Sequence, residues 1–281
     1  MIRRKLEELF VKILMIAATV LVAGSFFLIV WTIFSKGIPY MNLDMITKTP
    51  GGGFYIGKEG GVLNAIIGSL YIAGGATILG TVISIPVALY INLYISKRDI
   101  ITGTLRLAFD VLFGVPSIVY GAFGFLIMVY FGIRASLLGG ILAVTLLVIP
   151  IMVRTLDEVL RTVPGELRDA ALSLGSTRWE MAKVILRQIR PGIFTAILLS
   201  FGRGIGDVAS VLFTAGFSDN VPTSLHEPAA TLPLAIFFQL GSPMPEVQGR
   251  AYASALILTV IVLIITVLSG LLTKRFGKHK I

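Results

Sequence analysis

An arginine and an aspartate lie four residues apart inside a long apolar stretch of the sequence. Arg203 and Asp207 both fall within the run 192–216, which is otherwise largely hydrophobic. Side chains four residues apart share one face of a helix, so these two groups could form an ion pair. An ionisable residue in such a span normally faces the bundle interior or water. Two roles stay open: a structural pair that fixes helix packing, or a cation that attracts an oxyanion.

Arginine is suited to the second role, because its planar guanidinium stays charged and donates paired hydrogen bonds to oxyanions. With Asp207 beside Arg203, the local net charge would be near zero, which fits a weak transient contact better than tight binding. Gly202 and Gly206 flank the pair at the spacing that lets another helix approach closely.

The polar segment 154–190 is patterned as two short helices joined by a tight turn. Pro164 favours the first turn of a helix, where Glu166 and Asp169 place negative charge near the positive end of the dipole. Gly175 fits the position just after a helix, where a left-handed backbone is common. The first helix has one predicted apolar face, formed by Leu167, Ala170, Ala171 and Leu174.

A second helix is predicted to begin after Thr177, because Thr177 and Glu180 have the spacing of a capping box. The resulting helix–turn–helix could be a loop packed on its own protein or a docking element for a cytoplasmic partner. The pattern alone favours neither interpretation.

The composition places these two segments in a membrane protein. Of 281 residues, 56% are hydrophobic and 14% are charged, whereas soluble domains have about 45–50% and about 25%. The chain has no cysteine and two histidines, which excludes disulfides and thiolate sites and argues against a histidine metal centre or a Ser–His–Asp site. No metal or cofactor is expected.

Continuous apolar runs predict six transmembrane helices, because a span needs about 20 mostly apolar residues. The runs do not alternate as the strands of a β-barrel do. The six predicted spans are 13–34, 66–95, 107–131, 137–153, 192–216 and 252–273.

Basic residues fix the predicted orientation. In this scheme 18 of the 24 Lys and Arg residues lie on one side, in the segments 3–12, 97–106, 154–190 and 274–280. Basic loops mark the cytoplasmic face, so both termini are predicted to be cytoplasmic. The net charge of +9 therefore indicates topology. Nucleic-acid binding is disfavoured, because the basic residues are spread over four segments without a recognition motif.

Three smaller features are not expected to bind a ligand. The segment 52–58 approaches a phosphate-binding loop pattern, but Glu59 stands where Mg²⁺ coordination needs Ser or Thr. Asp110, near the cytoplasmic start of the third span, is expected to be an interfacial charge. The apolar run 232–240 is too short to span and should pack on the outer ends of the helices or enter the membrane part way.

The segment 154–190 resembles the cytoplasmic loop of bacterial ABC importer permeases, which has the form Glu-Ala-Ala, three residues, then Gly. Here the loop runs from Asp169 to Gly175, followed by a helix that ends near Pro191. Two positions depart from the family pattern. Asp169 replaces the usual Glu, and Arg187 stands where many members have Pro.

Three further stretches resemble the permease subunits of phosphate-specific ABC importers. They are 61–70, 114–121 with its Gly-Val-Pro-Ser sequence, and 202–207, which is similar to an Arg-x-x-Gly-Glu element with Asp in place of Glu. The short first section and the match at 61–70 are more similar to the PstA type than to the PstC type.

The resemblance implies an all-α integral membrane fold of the type I importer, MetI-like class, in the cell inner membrane. It divides the chain into a first helix with an outer loop at 1–60, a permease core at 61–275 and a basic cytoplasmic tail at 276–281. The implied partners are a second, PstC-type permease, two PstB-type ATPases and a PstS-type phosphate-binding protein, with ATP hydrolysis in the ATPases and no active site in this chain.

The resemblance also implies roles for single residues. Arg203 and Asp207 would lie on the substrate pathway. The residues that would couple to an ATPase are Glu166, Leu167, Asp169, Ala170, Ala171, Leu174 and Gly175. Two alternatives remain: an ABC importer for another oxyanion or small solute, and, in a different class, a secondary transporter or channel. The secondary transporter would need several intramembrane carboxylates, of which the sequence shows one clearly.

Overall fold

The structure is a computed structural model that describes residues 2–51, 59–95 and 99–277, with side chains between 4 and 271. Two segments discussed above therefore lie wholly or mostly outside the described residues. These are the glycine-rich outer segment 52–58 and the basic tail 276–281.

Within the described residues, helices make up most of the fold, with one short antiparallel strand pair beside them. A 3₁₀ turn, Ile38–Tyr40, follows the first helix, and a π-helical turn, Tyr90–Tyr94, ends the third. The strands are β1 (Pro50–Gly51) and β2 (Glu59–Gly60). The helices are α1 (Ile2–Gly37), α2 (Leu43–Thr47), α3 (Leu63–Leu89), α4 (Ile100–Gly114), α5 (Ser117–Tyr130), α6 (Leu137–Arg161), α7 (Gly165–Ser173), α8 (Arg178–Gln188), α9 (Arg190–Ile205), α10 (Leu232–Leu240) and α11 (Pro245–Gly277).

Six spans are obtained when two bent helix pairs are counted with four straight helices. Within the described residues, α1, α3 with its π-helical end, α6 and α11 are each long and apolar enough to cross a membrane. The pairs α4–α5 and α8–α9 pass the same test only as broken units. The helical class is thus confirmed, and the number of candidate spans is between four and six, with the predicted six reached only if each bent pair is one span.

The third span is broken, where the sequence predicted one continuous helix. The α4 and α5 axes differ by 97°. The cause lies at Val115 and Pro116: proline has no backbone N–H to donate and disfavours the helical conformation of the residue before it. Val115 is accordingly extended, with φ −69° and ψ 130°.

The fourth and fifth spans also differ in their ends from the prediction. The α6 helix continues to Arg161, eight residues beyond the predicted end, so the first part of the polar segment 154–190 belongs to a long helix. The α9 helix stops at Ile205, and the rest of the predicted run forms turns. Glycine at positions 202, 204 and 206 weakens the helix there.

The core is built around α3 and α6, which pack along much of their lengths. In α6, 72% of the apolar window is buried, against none of α1. The α1 helix attaches near its C-terminal end. There, Gly37 lies directly on the Tyr252 backbone of α11, and the Lys36 ammonium sits 5.0 Å from the Tyr252 ring centre. Residues 4–29 of α1 are all exposed in the described chain.

The short apolar run 232–240 forms α10, which packs against α11 and α3. Thr231 caps its first turn by accepting a hydrogen bond from the Leu234 N–H, and Leu232 and Leu234 are fully buried. The prediction of a short segment packed on the ends of the spanning helices is confirmed.

The orientation is testable with a single cysteine, since the chain contains none of its own. Ser173→Cys places a thiol at the exposed end of α7, on the predicted cytoplasmic side. We expect an impermeant maleimide to label it in inverted vesicles but not in intact cells. Labelling from outside intact cells would contradict the orientation.

Candidate functional site

The first candidate site lies at the end of α9, where the helix presents one buried and one open face. Ala196, Ser200 and Gly204 face the core. Leu199 and Arg203 are exposed on the adjacent side of the helix. Among the described residues, no carboxylate lies within ion-pair distance of Arg203. The guanidinium is therefore available to a group outside this chain.

The predicted ion pair between Arg203 and Asp207 is absent from the described part of the chain. Helical spacing no longer applies, because α9 ends at Ile205 and Asp207 follows in a turn. Asp207 is 6% exposed. Its carboxylate accepts hydrogen bonds from the Ser210 N–H at 2.8 Å and from the Ser210 hydroxyl. Asp207 thus shapes the turn and does not neutralise the arginine.

The predicted close approach at Gly202 and Gly206 is also wrong within this chain. A Cβ at Gly202 would meet nothing within 4 Å, and a Cβ at Gly206 would come no closer than 3.6 Å to another residue, the Gly202 carbonyl oxygen. Gly204 makes the contact instead, since its Cβ would lie 3.1 Å from Val144 Cγ1 and 3.8 Å from Ala73 Cα.

The broken third span lies against the turn that holds Asp207. A Cβ on Gly121 of α5 would lie 2.6 Å from the Ala209 carbonyl oxygen and 2.9 Å from Ser210 Cα. The Tyr120 hydroxyl donates to the Leu112 carbonyl oxygen at 2.8 Å, which joins α5 to α4 across the break. The interruptions of two spans therefore meet at one place, beside the helix end that carries Arg203.

The second candidate site is the helix–turn–helix formed by α7 and α8, which confirms the predicted arrangement. Gly175 has φ +79°, a left-handed conformation that favours glycine. Thr177 and Glu180 form both bonds of the capping box, at 3.3 Å and 2.8 Å. The hydrogen bond from the Thr177 N–H, followed by that from its hydroxyl, lowers the pKa of the exposed Glu180 carboxyl below its ordinary value.

The predicted apolar face of α7 divides between the interior and the surface. Leu167 and Ala171 pack on the cluster that includes Met181 and Ile185 of α8. The other predicted coupling residues lie at the surface: Glu166, Asp169, Ala170, Leu174 and Gly175.

The exposed part of this segment is more apolar than the predicted face suggests. Leu174 is 86% exposed, Trp179 59% and Leu172 48%. Sequence reasoning gave no role to Leu172 or to Trp179, although three large apolar side chains on a polar loop are a signal of a docking surface.

Two arginines that the sequence analysis did not single out tie this segment to the end of α3. Arg168 of α7 donates to the Asn92 carbonyl oxygen at 3.1 Å and to the Leu160 carbonyl oxygen at 3.3 Å. Arg178 of α8 lies 5.7 Å from the Tyr94 ring centre, with a long hydrogen bond of 3.5 Å to its carbonyl oxygen.

A buried ion cluster next to these contacts was also missed. Asp157 of α6 is 3% exposed. It pairs with Arg106 of α4 at 3.0 Å and with Arg161 at 2.8 Å, and accepts from the Asn92 amide at 2.7 Å. Asp110, the expected interfacial charge, pairs with Arg154 of α6. No sequence spacing signals partners that lie 51 and 65 positions apart.

Ligand chemistry beyond these groups has little support in the described residues. They contain no group of three or more His, Asp or Glu side chains that could hold a metal ion. His226 is exposed in the outer loop.

The turn at Gly175 gives a first test of the α7–α8 arrangement. Gly175→Val should raise the energy of the turn, because a β-branched residue resists positive φ. We expect lost co-purification of a docked partner or ATP hydrolysis without transport. Gly165→Val is the matched control, since its Cβ also meets nothing within 4 Å and its φ is not positive. Normal assembly and transport in Gly175→Val would refute the importance of the turn.

The chain is similar to a known family of membrane transport proteins. The family model described as "Binding-protein-dependent transport system inner membrane component" matches residues 80–278. Three relatives are each named "Phosphate transport system permease protein PstA". The Haemophilus influenzae protein is 35% identical over 92% of this chain and 90% of its own length. The Yersinia pestis protein is 36% identical over 95% of this chain and 90% of its own length. The protein of Xylella fastidiosa strain Temecula1 is 38% identical over 84% of this chain and 81% of its own length.

The fold is also similar to a solved structure. A chain from a crystal structure of the MetNI methionine ABC transporter in an inward-facing conformation superposes on this chain with a TM-score of 0.62. The match covers 76% of this chain and 95% of that chain at 17% identity. At that identity the likeness shows the fold alone, which agrees with the MetI-like class expected from the sequence.

Proposed function

This chain belongs to the family of binding-protein-dependent transport system inner membrane components, and we propose that it is a permease subunit of an ATP-driven importer of inorganic phosphate. It is a multi-pass inner membrane protein and a transport permease, not itself an enzyme. The proposal is carried by relatives at 35–38% identity that share one printed name across most of both chains. The permease core is proposed to be 61–275.

The partners follow from the class of transporter. An ABC importer permease works with ATPase subunits and with a binding protein. We assign them here as two PstB-type ATPases, which hydrolyse ATP, and a PstS-type binding protein, which delivers phosphate from outside. A PstC-type permease completes the pathway.

The position of Arg203 supports an anion pathway on the open face of α9. Arg203 follows Arg190, the first residue of α9, by 13 residues, which is about 20 Å along a helix in a hydrocarbon layer about 30 Å thick. A charged side chain at that depth is costly when it faces lipid. The face of α9 that carries Arg203 must therefore line water or meet another subunit. Arg203 is proposed to contact phosphate there, beside the turn that Asp207 holds.

The exposed surface of α7 and the following turn is the proposed ATPase docking site. Leu174 and Trp179 offer apolar contact area, and Ala170 lets a partner approach closely. Glu166 and Asp169 lie in the first turns of α7, where the dipole favours negative charge. Leu167 and Ala171 join this surface to the core beneath it, so a force applied to α7 reaches the transmembrane helices.

Phosphate uptake in cells that lack and then regain this gene tests the proposal. Uptake of labelled phosphate should be lost on deletion and restored by the intact gene in the presence of its neighbours. Sulfate uptake is measured in parallel. Unchanged phosphate uptake after deletion would refute the assignment of phosphate as the substrate. Loss of sulfate uptake alone would favour another oxyanion as the substrate.

A further inference from the structure

The cytoplasmic end of α3 receives contacts from both helices of the docking segment. Its last turn, Tyr90–Tyr94, is π-helical, and the last carbonyl groups of any helix have no partner within it. Arg168 of α7 donates a hydrogen bond to the Asn92 backbone carbonyl oxygen, and the Arg178 guanidinium of α8 lies over the Tyr94 ring. A displacement of α7 and α8 would therefore act on this turn first.

The same turn is connected to the broken third span through Asp157. The Asn92 side-chain amide donates from Nδ2 to Asp157 at 2.7 Å, while its side-chain Oδ1 accepts from Arg106 of α4 at 3.3 Å. Arg106 also reaches Asp157 through Nε, at 3.1 Å, and Nη2, at 3.0 Å. One carboxylate thus connects the π-helical turn, α6 and α4.

Burial makes this cluster stiffer than an ordinary ion pair. Asn92 is 5% and Asp157 3% exposed, so water cannot readily replace a broken contact. A second pair between the same helices, Asp110 with Arg154, has side chains that are 45% and 38% exposed. Exposed ion pairs contribute little to stability, because solvent screens them. The buried cluster is therefore the strong polar connection between α4 and α6.

We infer that Asp157 is a positioning residue for transport, which makes the π-helical turn and α4 move together with α7 and α8. Motion imposed by the ATPases on the docking segment passes through Arg168 and Asn92 to Asp157, then through Arg106 to α4. The α4 helix leads directly to the break at Val115 and Pro116, whose far side lies on the Ala209–Ser210 turn. This inference rests on the proposed importer function.

The ratio of phosphate transported to ATP hydrolysed tests the inference in the full complex, reconstituted with its binding protein. Asp157→Asn keeps the shape but removes the charge. We expect the ratio to fall at least about tenfold while assembly and ATP hydrolysis persist. Asp110→Asn, the matched control between the same helices, should stay within about twofold of the wild type. Asp157→Glu should recover part of the ratio. An unchanged ratio in Asp157→Asn, or an equal fall in Asp110→Asn, would overturn the inference.

A second variant, Arg168→Gln, keeps the test decisive if Asp157→Asn lowers the yield of complex, and a double-substitution cycle then asks whether the two residues act together. Arg168→Gln alters a half-buried side chain and should lower the ratio by itself. If both residues act in one connection, Arg168→Gln combined with Asp157→Asn should be no worse than the poorer single variant. If the fold-reductions of the ratio in the two single variants multiply in the double variant, Arg168 and Asp157 contribute independently. That result would contradict a connection that runs through both residues.

A distance measurement separates this inference from the identity of the substrate. Spin labels at Gly103→Cys on α4 and Ser173→Cys on α7 lie on exposed positions. In the otherwise unchanged chain, ATP should leave the distance between the labels the same, because the two helices move together. In Asp157→Asn, ATP should shift it. A shift in the parent chain, or none in Asp157→Asn, would refute the inference even if phosphate proved to be the wrong substrate.

Discussion

Phosphate uptake should fall about tenfold to a hundredfold in Arg203→Gln, the scale of one lost charge-assisted hydrogen bond. Glutamine keeps most of the length and some hydrogen-bonding capacity but carries no charge. Arg203 is exposed in the described chain, so the subunit should fold and assemble normally. Uptake is measured at matched amounts of assembled complex, and Arg203→Lys should retain part of it because the positive charge remains.

The role of Asp207 provides the control for this prediction. Asp207 bonds to Ser210, so Asp207→Asn should disturb the turn and lower uptake less than Arg203→Gln. The two changes together should be at least as defective as Arg203→Gln alone. If uptake recovered in the double variant, the two residues would have to be a structural ion pair, and Arg203 would leave the pathway.

Gly121→Ala should also abolish most transport, through the packing of the two interrupted spans. The added methyl group would lie 2.6 Å from the Ala209 carbonyl oxygen and 2.9 Å from Ser210 Cα. Both are backbone atoms, which cannot rotate away, so either α5 or the turn must move. Overpacking of this kind costs about 1–3 kcal/mol. We expect a lower thermal stability of the purified complex and a large loss of uptake.

Gly114→Ala is the matched control, because Gly114 lies in the same broken span and its Cβ would meet nothing within 4 Å. It should leave both stability and uptake close to those of the unaltered protein. Wild-type uptake in Gly121→Ala would mean that the contact between the two interruptions is not needed for transport.

Local sequence signals predicted the parts of the molecule that depend on neighbouring residues. The apolar runs gave the spans, and the Thr177–Glu180 capping box and the left-handed Gly175 are confirmed. The capping box and the turn are set by residues within about four positions of one another, and each span by one continuous run of the chain. Local chemistry decides them before tertiary packing acts.

Features that depend on tertiary contacts were predicted poorly. Helical spacing predicted a pair between Arg203 and Asp207, but the helix ends between them. The three glycines at 202, 204 and 206 were an overlooked signal of that helix end. Pro116 was likewise present in the sequence, yet a proline in a membrane helix produces anything from a slight kink to a full break. In the Asp157 cluster only Arg161, four positions along α6, has a local signal, since Asn92 and Arg106 belong to other parts of the chain.

Attachment of α1 to α11 through residues near its C-terminal end has a consequence for biosynthesis. The contact joins Lys36 and Gly37 to Tyr252, about 215 positions later, which takes roughly 10 to 40 s to translate. During that time α1 has no lasting site in its own subunit and must wait in the bilayer as a separate helix. Final packing of the first helix is therefore postponed until α11 has left the ribosome, and a chaperone or insertase could shield α1 in the interval.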